Sequence, residues 1–435
     1  MRPSTLPLAA LACLALCSTA AAASGDDAPP VRFSGFGTLG GLHTQGDGAG
    51  FIRDLAQPHG SDNRGISWHQ DTRLGIQASY KPIEDLEAVA QVVSRYRWDN
   101  NFTPEMTWGF LKYAATDNAD LRVGRIGFDA FLSSDSRDVG YAYLWVRPPV
   151  EYYGPVLFPY LDGLDFVLRW PVGSGTGRVK AYSGIARQIV PTAGMLEDLS
   201  GSRVTGGFLD YQDTHWTARV GLADLRVLHE IPGTPFDILG AIRNTADMQS
   251  DASVAHDFRT LAADTSLAGK HVRFKSIALA YEDGPLQTQI GLSEFTPHSL
   301  VFPRSFAGYL SVGYRYGKIT PYAAIASARS RKIHRADELA GRGINTAPAL
   351  SIMNYMFTSG ERNQHTYTLG LRNDITEKLA LKLQIDVIRS RTCSPLSLPI
   401  IGTSPPCGSP LLWPNVPAHW NGRANVYSAT LDFIF

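Results

Sequence analysis

The chain has 435 residues, with 40 basic and 40 acidic side chains, so its formal net charge is zero. That balance argues against a nucleic-acid partner, which is met by an excess of Lys and Arg. Beyond the first residues there is no uncharged apolar run of about 18 residues, which excludes a transmembrane helix and leaves open a barrel that crosses with strands.

In chain order, Met1-Arg2 gives a basic start, Leu6 to Ala15 is apolar, and Ala21-Ala22-Ala23 offers a small-residue cleavage site. This three-part pattern predicts a signal peptide over residues 1–23. Residues 24–435 then read as a single β-barrel domain. Two-residue alternation runs through them, the period of a half-buried strand. From Ile66 to Lys81 one face carries Ile66, Trp68, Leu74, Ile76 and Tyr80, and the other Ser67, His69, Asp71, Arg73, Gln77 and Lys81. That run is far longer than the five or six residues usual in a soluble sandwich. It suits a membrane-spanning strand of about 9–11 residues with an aromatic near each end.

The pattern recurs, and it predicts about sixteen antiparallel strands: 32–44, 66–80, 86–98, 105–115, 119–127, 163–171, 177–188, 202–213, 215–228, 271–282, 286–296, 304–316, 319–329, 364–374, 379–391 and 425–435. Short connections such as Gly317-Lys318 alternate with long ones such as Phe128–Asp162, His229–Lys270 and Arg391–Ala424. Within the His229–Lys270 stretch, Phe236 to Thr245 suits a short helix. Gly35, Gly37, Gly40 and Gly41 leave the first strand bare enough for close packing of another subunit. Tyr427, Ala429, Leu431, Phe433 and Phe435 alternate up to the C-terminus. Cys13 and Cys17 leave with the signal peptide. Cys393 and Cys407 remain, in a compartment that permits disulfides, and are expected to form one.

Trp108-Gly109-Phe110-Leu111-Lys112-Tyr113, a short turn, and Leu121-Arg122-Val123-Gly124-Arg125 together resemble a hairpin of the general Gram-negative porins. The terminal phenylalanine resembles that family too. The resemblance implies a sixteen-stranded outer-membrane barrel that assembles as a homotrimer. It implies that Phe128–Asp162 folds inward as a constriction loop, and that Phe435 is read by the barrel-assembly machinery. Contacts with outer-membrane lipid and lipopolysaccharide, and small hydrophilic solutes as cargo, go with it. Pro149-Val150-Glu151-Tyr152-Tyr153-Gly154 matches the family's Pro-Glu-Phe-Gly-Gly-Asp stretch imperfectly. Asp99 to Pro104 is short for a loop that latches onto a neighbouring subunit.

A pore selects by width and by the charges at its narrowest point. Arg73, Arg95, Arg97 and Arg122 fall on lumen-facing positions of their strands. If Tyr80 faces Leu86 across the hairpin, Asp71 lies opposite Arg95, and His69 opposite Arg97. The resemblance places Arg125 on the pore as well, although alternation points it outward unless a bulge intervenes. Asp129, Asp135, Asp138 and Glu151 form the facing wall on the inward loop, with Arg137 and Arg147 as local partners. Wall arginines outnumbering the one wall acid, Asp71, imply a mild preference for anions. His43, His59, His69, His215 and His419 show no metal-ligand spacing, and no cofactor motif is present. A barrel-wall lipase would need a serine beside a histidine on the lipid face, which the sequence does not offer. A structural or adhesive role through the long loops is the other alternative.

Overall fold

The computed structural model describes residues 31–46, 49–61, 65–155, 158–192, 195–230, 238–331, 333, 363–390 and 420–435. The segment read as a signal peptide lies outside them, as do Cys393 and Cys407. The strands are β1 (Val31–Gln45), β2 (Arg73–Ile83), β3 (Leu86–Arg95), β4 (Glu105–Thr116), β5 (Ala119–Gly127), β6 (Tyr160–Val172), β7 (Gly175–Ile185), β8 (Ile189–Thr192), β9 (Met195–Asp198), β10 (Arg203–Gln212) and β11 (Trp216–Arg226). They continue as β12 (His271–Asp283), β13 (Leu286–Pro297), β14 (Ser305–Tyr314), β15 (Ile319–Ser330), β16 (Asn363–Thr376), β17 (Leu379–Ser390) and β18 (Arg423–Ile434).

All but β8 and β9 join one closed antiparallel barrel of sixteen strands, in which β1 pairs with both β2 and β18. Closure leaves no strand edge unpaired, which is what a spanning sheet requires in hydrocarbon. β8 and β9 form a separate hairpin within the connection from β7 to β10. Alternation sets the two faces. On β17, Leu381, Leu383 and Ile385 are exposed, while Ala380, Lys382, Gln384 and Asp386 between them are buried. The outward residues form an apolar band and the inward ones a polar lining.

One expected strand is shorter. Apart from an isolated bridge of Ser67 to Leu42, the Ile66–Lys81 run enters the ladder at Arg73, opposite Thr38 of β1. At Gly40 the side chain of Thr72 takes over from the backbone. Its Oγ1 accepts from the Gly40 N–H at 3.1 Å and lies 3.3 Å from the Gly40 carbonyl. That frees Gln70 and Asp71 to turn inward, where both are buried. The β2–β3 register also differs by two residues. Arg73, not Asp71, lies opposite Arg95, because an irregularity falls between Tyr80 and Ile83. A two-residue slip preserves the faces and changes only the partners. The ladder ends at Arg73 and Arg95, so His69 is not paired opposite Arg97. It is exposed, packing near Tyr96 and Phe102.

The glycines of β1 do not await a second subunit. A Cβ on Gly35 would lie 2.1 Å from the Phe435 ring, and one on Gly37 2.3 Å from the Phe433 ring. Gly41 is covered by Ile66 and Trp68, and Gly40 by Asp71 and Thr430. The bare strand instead lets the C-terminal aromatics lie across the closing seam. Gly35 and Phe435 also exchange backbone hydrogen bonds of 2.9 and 3.0 Å there.

At the end carrying the long connections, β11 and β12 are joined through two helices. The sequence suggested one. The first helix includes Ile238–Asp247 and the second spans Ala252–Thr265. Asp251 caps the second, accepting from the Ser253 and Val254 N–H groups. The two pack through Ile242, Ala246, Phe258 and Leu261.

Candidate functional site: the barrel interior

The connection from β5 to β6 enters the barrel at Phe128 and crosses it before returning at Tyr160. Its sequence explains why it stays inside. Phe128, Phe131, Tyr143, Trp145, Tyr152 and Phe158 are apolar or aromatic and are buried against inward residues of the wall, Tyr309 and Tyr322 among them. Such a run left in water would forfeit roughly 1.5–3 kcal/mol per large side chain. The path is fixed by wall groups. Ser276 donates to the Ala130 carbonyl and Arg219 to that of Phe131. Trp145 Nε1 donates to Ser311 Oγ at 2.7 Å. Lys382 Nζ donates to the carbonyls of Gly140 (2.6 Å) and Trp145 (3.0 Å), and Lys382 is itself paired with Asp432 at 3.1 Å. Tyr141 donates its hydroxyl to the Glu377 carbonyl at 2.7 Å. Glu377 lies in the tight turn between β16 and β17, so the segment reaches the short-turn end of the barrel.

The charges named from the sequence sit in this interior mostly as pairs. Arg73 and Arg95 converge on Asp138 of the inward segment, at 3.2 and 2.9 Å. Burial opposes ionisation of Asp138, but Arg95 and Arg73 outweigh it and hold the carboxyl well below its usual range. Arg97 pairs with Asp99 and Glu105, at 3.2 and 3.1 Å. Arg122 forms a two-pronged pair with Asp165, at 2.8 and 2.7 Å. Asp129 is held by Lys180, which also lies 3.2 Å from Asp165.

Glu151 has no ion pair among the described residues. It accepts from Gln364 at 2.6 Å and from Thr366, and burial pushes its carboxyl above the usual range. Asp135 is exposed and has no ion pair among the described residues.

Three placements differ from expectation. Arg125 stays in step with Val123 and Leu121, both exposed on the outer face, and the ladder with β6 carries no register shift there. The expected bulge is absent, and Arg125 pairs with Asp162 at 2.7 Å instead of facing the pore. Arg147 is not a partner of the inward acids. It grips Asp71 (2.7 and 3.1 Å), Asp386 (2.9 Å) and Ser428 (2.5 Å). Nor is Asp71 the one acid of the wall. Glu105, Asp165, Asp210, Asp386 and Asp432 also project inward and carry ion pairs.

Two further guanidiniums matter, and alternation along the strands does not point to either. Arg53, from the connection after β1, lies 3.4 Å from Asp71. Arg137 is half-buried and has no ion pair among the described residues. Arg53, Arg73 and Arg137 together line an interior cavity whose acids are Asp54 and Asp138. No cluster of His, Cys, Asp or Glu among the described residues has the arrangement to hold a metal.

No protein-family model matches the chain, and no curated protein matches it in sequence. Solved structures do match in fold. OmpT of Vibrio cholerae, folded in vitro, is 12% identical with a TM-score of 0.51, over 95% of this chain and 100% of that one. OmpF of Salmonella typhi, in complex with daunomycin, is 8% identical with a TM-score of 0.51, over 93% of this chain and 97% of that one. The outer membrane channel DcaP of Acinetobacter baumannii is 8% identical with a TM-score of 0.50, over 95% and 100%. The chain has the fold of the Gram-negative outer-membrane porins.

Proposed function

We propose that the protein is an outer-membrane porin, a diffusion channel for small hydrophilic solutes with a mild preference for anions. One observation carries the charge preference. The interior cavity is lined by three guanidiniums, Arg53, Arg73 and Arg137, against two carboxylates, Asp54 and Asp138. The excess is one positive charge, inside a wall whose other charges are largely paired. Guanidinium stays charged and presents a planar fork to carboxylate or phosphate. The reading includes export by residues 1–23, residence in the outer membrane with the long connections outward, assembly through Phe435, and a homotrimer.

Recording from planar bilayers under a salt gradient tests it. Discrete conductance steps, in groups of three if trimers form, with a reversal potential on the anion side, are expected. A cation-side reversal potential would overturn the charge preference.

The filled interior favours a second reading, a structural barrel that carries its long loops. Silence in the bilayer from protein shown to be folded would favour it over the channel. A barrel-wall enzyme has less support. Ser67 Oγ lies 3.5 Å from His69 Nδ1, but the other described partners of His69 are Tyr96 and Phe102, neither of which is an acid that could orient the ring.

A further inference from the structure

The outer wall carries a feature that the lumen does not use. At the long-connection end, Arg389 of β17 lies directly opposite Arg423 of β18, and His365 of β16 lies directly opposite Arg389 on its other side. Both arginines are exposed. They face outward, in step with Ile385 on β17 and Tyr427 on β18, which are exposed on the outer face. Directly opposed residues have Cβ atoms about 4.5–5.5 Å apart, and like charges so placed destabilise a sheet. Neither arginine has an ion pair among the described residues. The acids of β17 and β18, Asp386 and Asp432, point into the lumen. Arg389 and Arg423 border an open cleft of about 460 Å³ together with His43, Gln45 and Asn425.

A second row repeats the arrangement. Arg203 of β10 faces Arg226 of β11, which faces His271 of β12, with both arginines exposed and unpaired among the described residues. This row has an acid beside it, because Asp224 is outward and holds His271 at 2.7 Å. The Arg389–Arg423 row has no such neighbour on its own strands.

What the row could bind follows from its height. Tyr367, opposite Val387, is exposed one outward position toward the membrane from the row, and Tyr427, opposite Ile385, two, as an interfacial aromatic girdle would be. Ile385 and Leu369 lie level with Tyr427, and Leu383 continues the exposed face below. A ligand that satisfies both levels has an anionic head and acyl chains. We propose that Arg389 and Arg423 form a binding site for the phosphorylated headgroup of lipid A in the outer leaflet. Each guanidinium presents a fork to a phosphate oxygen pair, and the bound phosphate relieves the repulsion within the row. His43, Gln45 and Asn425 supply further polar contacts in the cleft, and the acyl chains lie along the apolar band. The site depends on the barrel standing with its long connections outward. It does not depend on conduction, so failure of the channel reading leaves it intact.

Native mass spectrometry of the detergent-solubilised full chain tests this, with three probes: diphosphoryl lipid A, lipid A stripped of its phosphates, and inorganic phosphate. The wild type should bind diphosphoryl lipid A at least tenfold more tightly than the stripped form. Arg389→Gln with Arg423→Gln should abolish that difference, and Arg389→Lys with Arg423→Lys should keep part of it. Equal binding by the glutamine variant would overturn the proposal. Competition by inorganic phosphate as effective as by lipid A would overturn it too, by making the row a free-anion site. So would a glutamine variant that loses subunits and not lipid, because the row would then be an interface between copies. A melting curve in lipid-free detergent guards against misfolding. The glutamine variant should unfold at the same temperature as the wild type or higher, since repulsion is removed. A lower temperature would make the arginines part of the fold's own support and count against the site.

Discussion

Replacing Arg147 with methionine should loosen the inward segment without opening the barrel. Arg147 is fully buried and joins three walls of the interior, through Asp71, Asp386 and Ser428. Its guanidinium also lies 4.9 Å from the centre of the Phe51 ring. Methionine fills much of the same volume but leaves two buried carboxylates short of their main cation. Among the described residues Asp71 keeps Arg53, at 3.4 Å, and Asp386 keeps Thr368 and Gln384. Removing one partner of a buried pair costs about 3–5 kcal/mol. At about 1.4 kcal/mol per factor of ten, that shifts the balance between seated and displaced segment by roughly a thousandfold. The barrel ladder is continuous, so the strain should be released by the segment leaving its place. Single-channel recording should show a larger and noisier conductance, with the barrel's melting temperature nearly unchanged. Adding Asp71→Asn and Asp386→Asn should restore the quiet state by removing the stranded charges. A single Arg147→Met variant whose conductance and noise match the wild type would refute the reasoning.

Arg137→Gln should move the reversal potential toward cations more than Arg73→Gln does; the reverse order would show that paired wall charges govern selectivity. Asp138 and Asp129 are held below their ordinary value of 3.8 by their cations, against the opposing effect of burial. Their contribution is therefore complete above that pH and fades as pH falls below it, so acid titration should unseat the segment before the barrel unfolds. Burial raises Glu151 above its ordinary 4.5, so its cost appears as pH rises through the raised value, and Glu151→Gln should raise the melting temperature at neutral pH and leave it unchanged in acid. Gly37→Ala places a methyl group against the Phe433 ring and should cost about 1–3 kcal/mol of barrel stability, recovered by adding Phe433→Leu and read as the temperature of unfolding on a gel. Cys393 and Cys407 should appear as one linked peptide in non-reduced mass spectra, closing a loop of about 15 residues for about 3 kcal/mol; two free thiols would overturn this.

The barrel was legible because its outward face meets hydrocarbon along every strand. Lipid contact demands an apolar residue at each second position, and that demand prints itself on the sequence. β5 was read to the residue at Ala119–Gly127, and β17 to within one. Where reading failed, a side chain had replaced a backbone partner. Ile66 to Thr72 alternates as well as any strand, yet Thr72 stands in for the ladder at Gly40. The outward positions Ile66 and Trp68 remain exposed, so hydropathy gave no warning. The bare glycines of β1 were misread for a similar reason. Small residues report that something lies close, and only the closed seam shows it to be Phe433 and Phe435.

The interior was less legible because alternation assigns a face and not a partner. Arg147 was matched with acids near it in sequence, yet it binds Asp71 and Asp386, on opposite sides of it in the chain. A segment that crosses the lumen meets strands far from its own, so sequence distance is a poor guide there. This bears directly on selectivity. Counting wall arginines assumes each acts alone, and Arg73 and Arg95 do not: they share Asp138 at about salt-bridge distance. An ion pair has a field that falls away faster than that of a lone charge, whereas a single charge acts over about 10 Å at 0.1 M salt. The permeating ion therefore responds mainly to what remains unpaired. Among the described residues, Arg137 in the cavity and Asp135 on the exposed side of the same turn are such a remainder. Arg137 lines the confined space and Asp135 is open to solvent, where its field is screened. The proposed anion preference then rests on the position of Arg137, beside Asp54 and Asp138 in that cavity, more than on the number of arginines on the wall.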